Sequence, residues 1–174
     1  MDKLRELKLE DEGAFRAWLA AWQDEPVQVS VTQPIQTSFP EFLQQLHQNS
    51  VDPKPPRVPA TKYFYIDEGI IKGGISCRWA LNAYLRNFGG HIGYGIVPAY
   101  RKRGIASEML REALEKFHQR HIKRVLITAE VKNVASQKTI CRAGGVYENT
   151  VTDPETGEAL RRYWITLEKN SQCE

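Results

Sequence analysis

The sequence predicts one α+β (mixed α/β) domain over residues 1–174, with a mostly antiparallel central sheet, one parallel strand pair and flanking helices. Three observations lead there. Aromatic and β-branched stretches jointed by glycine follow one another through the middle of the chain, as in a meander. The run "RVLITAEV" at 124–131 is almost uninterruptedly apolar, as a central strand covered on both faces demands. Between it and the strand-like "HIGYGIV" at 91–97 lies a helical pattern, and parallel strands need such a crossover.

The elements follow in order. "KLRELKL" alternates Leu4, Leu7 and Leu9 imperfectly and reads as a short strand. Phe15, Trp18, Leu19 and Trp22 fall at i, i+3, i+4 and i+7, one apolar face of a helix. "DEPVQVSVTQPIQT" is punctuated by proline and reads as extended chain or loop. In "SFPEFLQQL", Ser38 caps a second helix, Pro40 occupies its first turn and Glu41 completes a capping box. "NSVDPKPPRVPAT" holds four prolines and reads as a surface loop. Strands are expected at 63–67 and 70–77, joined by a tight turn at Asp67 to Gly69. Leu81, Tyr84, Leu85 and Phe88 have helical spacing and stop at Gly89-Gly90. Strand 91–97 ends at Pro98. A helix over 104–119 then buries Met109, Leu110, Ala113, Leu114 and Phe117. After strand 124–131, a helix over 134–143 takes Asn133 as its N-cap and Gly144-Gly145 as its stop. "VYENTVT" and "ALRRYWITL" flank "DPETGE" and form a hairpin.

Composition excludes several classes. At 174 residues, with 41% hydrophobic and 26% charged residues, the chain can bury a core without disulfides or metal. A formal net charge of +3 is too small for a dedicated nucleic-acid binder. The start "DKLRELKLEDE" is charged throughout, and no apolar run is long enough to cross a bilayer. Cys77, Cys141 and Cys173 are odd in number and unpatterned, which fits free thiols and a cytoplasmic location; no metal site is expected.

The stretch "RKRGIASEML" at 101–110 concentrates charge where a helix begins. A helix N-terminus offers unpartnered N–H groups and the positive end of the dipole. Gly104 lets a ligand approach the main chain, Ala106 keeps the next turn shallow, and Arg101, Lys102 and Arg103 add charge. Together they describe a phosphate site. The competing reading is a basic, solvated loop before an ordinary amphipathic helix. The spacing of a P-loop is absent, and "GGHIGYG" lies before and within a strand, where a dinucleotide fingerprint does not.

The stretch "GIVPAYRKRGIA" resembles the acyl-CoA loop of the GNAT family of N-acetyltransferases, Arg/Gln-x-x-Gly-x-Gly/Ala. Arg101, Gly104 and Ala106 stand at its three defining positions. A second family signature, opening on Asn and closing eleven residues later on Gly, resembles Asn133, Ser136 and Gly144 here. The similarity covers residues 63–167 well and the N-terminal part by element order, and is strongest to uncharacterised bacterial GNAT-like proteins. It implies the acyl-CoA N-acyltransferase fold, with strands 91–97 and 124–131 splayed to admit the pantetheine of acetyl-CoA. It further implies that backbone of Tyr94, Gly95 and Ile96 meets the pantetheine, with an N–H near Ile96 polarising the thioester carbonyl. Amides of Lys102, Arg103, Gly104, Ile105, Ala106 and Ser107 would hold the pyrophosphate. Asn133 would face the pantetheine beside Ser136, or serve only as a helix cap.

The implied reaction is direct attack of a primary amine on acetyl-CoA, which needs positioning and proton routes more than covalent help. Many GNAT relatives place a Tyr acid seven residues after the signature Asn; Ile140 stands there in this chain. Candidates for proton transfer are Glu130, Tyr94 and His91, each with a structural alternative: an ion pair with Lys, a core position, and a hydrogen bond near the Gly-Gly turn. Trp79, Tyr84 and the loop 50–60 are expected to shape the acceptor pocket. The acceptor is an unidentified small molecule, amino acid or peptide, with no nucleic acid or membrane partner, and the protein a monomer or homodimer. A non-catalytic acyl-CoA-binding module, which Ile140 favours, is the alternative.

Overall fold

The structure, a computed structural model, describes residues 2–23, 25–26 and 37–167. Most of the Pro-punctuated stretch 24–37, and Cys173, lie outside them. Among the described residues seven strands form one sheet in the order β1-β2-β3-β4-β5-β7-β6. They are β1 (Leu4–Arg5), β2 (Ala60–Asp67), β3 (Ile70–Arg78), β4 (Ile92–Ile96), β5 (Arg124–Glu130), β6 (Val146–Thr152) and β7 (Ala159–Thr166). Among the described residues only β4 and β5 run parallel. The C-terminal hairpin folds back so that β7 pairs with β5 and β6 becomes the edge. No helix among the described residues is long and apolar enough to cross a membrane.

Helices cover both faces. On one lie α1 (Glu12–Ala20) and α2 (Phe39–Val51), and on the other α3 (Ile105–Gln119) and α4 (Val134–Arg142). Under α1 and α2 the core is aromatic: Phe15, Trp18, Trp22, Phe39, Phe42 and Phe64 are buried together. Phe15 lies 5.1 Å from Phe42, and Trp18 meets Phe64 edge-on at 5.4 Å, the offset and edge geometries that ring quadrupoles favour. Under α3 and α4, Ile75, Ile92, Met109, Leu110, Phe117, Ile127 and Ile140 form the aliphatic half.

Local signals set the helix ends. Ser38 Oγ accepts from Glu41 N, and the Glu41 carboxylate accepts from Ser38 N at 3.0 Å, the expected capping box. Asn133 Oδ1 accepts from Ser136 N at 3.1 Å and starts α4.

Four expected elements differ. β1 has two residues rather than seven: the Asp11 carboxylate takes Lys8 N at 2.7 Å and both Arg5 amines, turning the chain into a short 3-10 helix at Leu9–Asp11. α2 runs on through Val51, and β2 begins at Ala60, so the proline loop is shorter than its composition implies. The helix expected over Leu81 to Phe88 is one wide turn at Leu85–Gly89, closed by Gly90 N donating to Leu85 O at 2.6 Å. Strand 91–97 is confined to Ile92–Ile96.

The junction of β4 with β5 is bolted at one end. Gly90 has φ +66° and ψ −173°, a region essentially closed to other residues. A Cβ there would stand 2.7 Å from Leu126 O. The backbone at this point lets His91 N donate to that same oxygen at 2.7 Å. We therefore expect Gly90→Ala to lose about 2 kcal/mol or more of stability in chemical denaturation, from backbone strain and overpacking together.

Candidate active site

Beyond that bolt the two parallel strands part. Their register contains a single pair, Ile92 with Ile127, although each strand continues. On its other side β4 is fully engaged: Arg78 N donates to His91 O at 2.8 Å, and Val97 N to Lys72 O at 3.0 Å. Hydrogen-bonding direction alternates along a strand, so residues 93, 95 and 97 turn their backbone to β3, as does the carbonyl of His91. Ile92, Tyr94 and Ile96 turn theirs to β5. Past Ile92 those groups face the gap. Gly95, an expected backbone contact, instead pairs with Gly74 of β3 and is not among them.

The gap runs into the loop before α3. Pro98–Tyr100 make a 3-10 turn; Lys102 then adopts φ +62° and Gly104 φ +79°, and α3 starts at Ile105. Among the described residues, the amides of Lys102, Arg103, Gly104, Ile105, Ala106 and Ser107 donate no hydrogen bond to the protein. They form a nest of donors at the positive end of a fifteen-residue helix. Arg101 does not reach into it. Its Nε donates to Ile96 O at 3.0 Å, and its two terminal nitrogens bind Glu25 at 3.1 and 2.6 Å. Arg103 lies over the Tyr100 ring, 5.5 Å from its centroid.

Two cavities lie on opposite faces of the sheet. Between α3 and α4 a groove of about 740 Å³ is lined by Ser107, Arg111, His118, Thr139 and Arg142, among others. On the opposite face, α2 roofs a cavity of about 420 Å³. Its floor is the β2–β3 hairpin: Ala60 pairs with Arg78 and Lys62 with Ser76, so all four project to one side. Tyr84 and Pro56, Arg57 and Val58 of the proline loop line it. Trp79 does not. It lies on the other face, 4.7 Å from Phe117 and beneath Arg120 at 3.8 Å, donating Nε1 to Thr61.

The sequence matches the family model for an acetyltransferase (GNAT) domain over residues 3–146. The chain belongs to the GNAT acetyltransferase family. Solved structures agree on the GNAT fold. A GNAT acetyltransferase from Streptococcus pneumoniae is 17% identical, with 95% of this chain and 98% of that one covered and a TM-score of 0.66. RimJ of Mycobacterium smegmatis, in complex with CoA-disulfide, is 18% identical, with 97% and 83% covered and a TM-score of 0.71. YncA of Salmonella typhimurium, with its cofactor acetyl-CoA, is 12% identical, with 98% and 96% covered and a TM-score of 0.63. No curated protein matches the chain in sequence.

Within this GNAT frame the three candidates for proton transfer separate. Tyr94 projects from β4 toward α4, where its hydroxyl meets Ser136 Oγ at 2.8 Å. Burial raises its pKa, and hydrogen bonds from Ser136 and Thr139 act in the opposite sense. Tyr94 and Ser136 thus converge at the gap, while Asn133 uses its carbonyl oxygen on the helix cap. Ile140 is fully buried, and its carbonyl carbon and side chain pack against Gly145, so this position faces the core and not the gap. Glu130 ends β5 half-buried, with Lys132 Nζ 3.3 Å from its carboxylate. His91 is only 6% exposed; its Nδ1 accepts from Leu126 N at 2.9 Å, and its ring meets Phe117 edge-on. Burial, then repulsion from Arg78 and Arg86, pushes its pKa down to about 4. It is a neutral clamp at the closed end of the strand pair, outside the gap. What the sequence reading missed is that Lys62 and Arg78 share the floor of the α2 cavity.

The His91 clamp has a pH signature. Its folded pKa of about 4 lies below the 6.5 of the free side chain, so the unfolded chain binds more protons between those values. Stability is full above pH 6.5 and falls as pH drops toward 4. Denaturant unfolding at pH 7 and pH 4.5 should show an acid loss smaller by about 1–2 kcal/mol in His91→Asn than in the parent.

Proposed function

We propose that this protein transfers the acetyl group of acetyl-CoA to a primary amine by direct attack. The observation that carries the reading is the parted strand pair, where the backbone of Tyr94 and Ile96 faces a gap that opens onto six unpartnered amides. Acetyl-CoA supplies an activated thioester. Tyr94 and Ile96 offer the main-chain edge for its pantetheine, amides 102–107 the cradle for its pyrophosphate, and Arg111 and Arg142 line the groove that continues from there. The Ile96 N–H points into the gap, where it can stabilise negative charge on the thioester oxygen, usually the largest catalytic contribution.

The amine lone pair forms the new C–N bond, and the C–S bond breaks with its electrons on sulfur. Tyr94 donates its phenolic proton to that sulfur, held in line by Ser136. The proton lost from nitrogen returns through solvent to the tyrosinate, so charge and protons balance. Buried Ile140 cannot take this part.

A second reading, an acyl-CoA-binding module without turnover, is favoured by the same Ile140. A thiol-release assay over a panel of amines separates the two. Acyl transfer predicts amine-dependent release, with Tyr94→Phe lowering kcat by about ten- to a hundredfold while the KM for acetyl-CoA changes little. Binding of acetyl-CoA without release would favour the module, and an unchanged kcat in Tyr94→Phe would move the acid elsewhere.

A further inference from the structure

We infer that the acceptor amine carries an anionic group, a carboxylate or a phosphate ester, which Lys62 and Arg78 hold in the cavity beneath α2. This rests on the acyl-transfer reading and names the acceptor class for that site. The cavity, about 420 Å³, suits a molecule of amino-acid to dipeptide size. Three cations line it, Arg57, Lys62 and Arg78, and among its described lining residues there is no Asp or Glu. Neutral polar side chains, Gln45, Asn49, Ser76, Asn82 and Tyr84, complete its polar surface.

Position matters as much as charge. Lys62 and Arg78 come from neighbouring strands of one hairpin and project to the same side. Arg78 is oriented from behind: its Nη1 donates to Gly89 O and Gly90 O, both at 3.1 Å. Its Nη2 lies 3.6 Å from where a Gly93 Cβ would stand, so the guanidinium spreads over β4 itself. Gly74, Gly93 and Gly95 share this face of the sheet by register, and the floor raises no side chain between Arg78 and the free edge of β4. An anion on Arg78 therefore sits a few bonds' length from the strand where the acyl group is attacked.

The cations are held at an electrostatic cost. Burial, then repulsion from Arg78 and Arg57, pushes Lys62 down to about 8, and burial lowers Arg78. A bound anion offsets the repulsion among the cations, whereas a polyamine meets like charge in a partly desolvated pocket.

The test uses the full chain at saturating acetyl-CoA in a thiol-release assay, with acceptors in matched sets. Each set is an amino acid, its carboxamide and its decarboxylated amine; an amino sugar is paired with its phosphate, and spermidine is the purely cationic member. The anionic member of a set should exceed its neutral and cationic counterparts in kcat/KM by about tenfold or more. Lys62→Met should erase that preference through KM, leaving the KM for acetyl-CoA within about twofold, and Lys62→Arg should retain it. The carboxylate and phosphate arms decide which anion is used. Turnover confined to neutral or cationic amines overturns the inference and leaves acyl transfer standing. If no amine is turned over, calorimetric titration of the CoA-loaded protein decides. Binding of anionic members alone, lost in Lys62→Met, supports the pocket assignment, and equal or absent binding overturns it. Failure of acyl transfer itself reads separately, as absence of thiol release with every acceptor.

Discussion

Everything that this fold offers a ligand follows from β4 and β5 touching at one point and then parting. An unpaired strand edge is normally a liability, because each buried N–H and C=O wants a partner. Here the parting is enforced from its closed end. Gly90 brings the chain against Leu126 O, His91 binds Leu126 through both its main-chain N–H and its Nδ1, and Ile92 sits in register with Ile127. Thr128 adds a hydrogen bond to Phe88 O. With the base of the pair fixed and β4 held by β3 along its full length, the gap is a rigid feature of the sheet.

The two faces of the parted pair differ in chemistry. On the α3–α4 side, alternation places Ile92, Tyr94 and Ile96 over an aliphatic core, and the helix N-terminus contributes main-chain donors. On the α1–α2 side, alternation leaves β4 with glycine alone, and the hairpin beside it carries Lys62, Ser76 and Arg78. Arg101 links the two: its guanidinium spans Ile96 O at the mouth of the gap and Glu25 beyond the end of α1. The cationic residue of the loop signature thus ties the end of β4 to Glu25, and the donors left facing outward at the start of α3 are backbone amides.

Much of this was legible in the sequence where the determinant is local. Ser38 with Glu41, and Asn133 with Ser136, fix helix starts within three residues of themselves, and glycine at 104 marks the turn before α3. The parallel crossover and its opening were implied by the family resemblance and by the apolar run at 124–131. What was not legible depends on register or on distant partners. That Gly95 faces β3 while Tyr94 and Ile96 face the gap follows only from how β4 pairs. Lys62 and Arg78 lie sixteen positions apart and meet because a hairpin aligns Lys62 with Ser76 and Ala60 with Arg78. Trp79, one residue past β3, falls on the opposite face from Arg78 for the same reason. β1 is cut short by Asp11, whose carboxylate captures Arg5 and Lys8 N, a contact that no periodicity reveals.

Residue-resolved hydrogen exchange with and without CoA tests the parted strand as the cofactor site most directly. The amides of Tyr94 and Ile96, which face the gap, should gain protection on CoA binding together with those of residues 102–107. Gly93 and Gly95, already bonded to β3, should change little. Protection confined to 102–107 would reduce the site to an anion nest at a helix end. Equal gains along all of β4 would contradict the alternation on which this account of the gap depends.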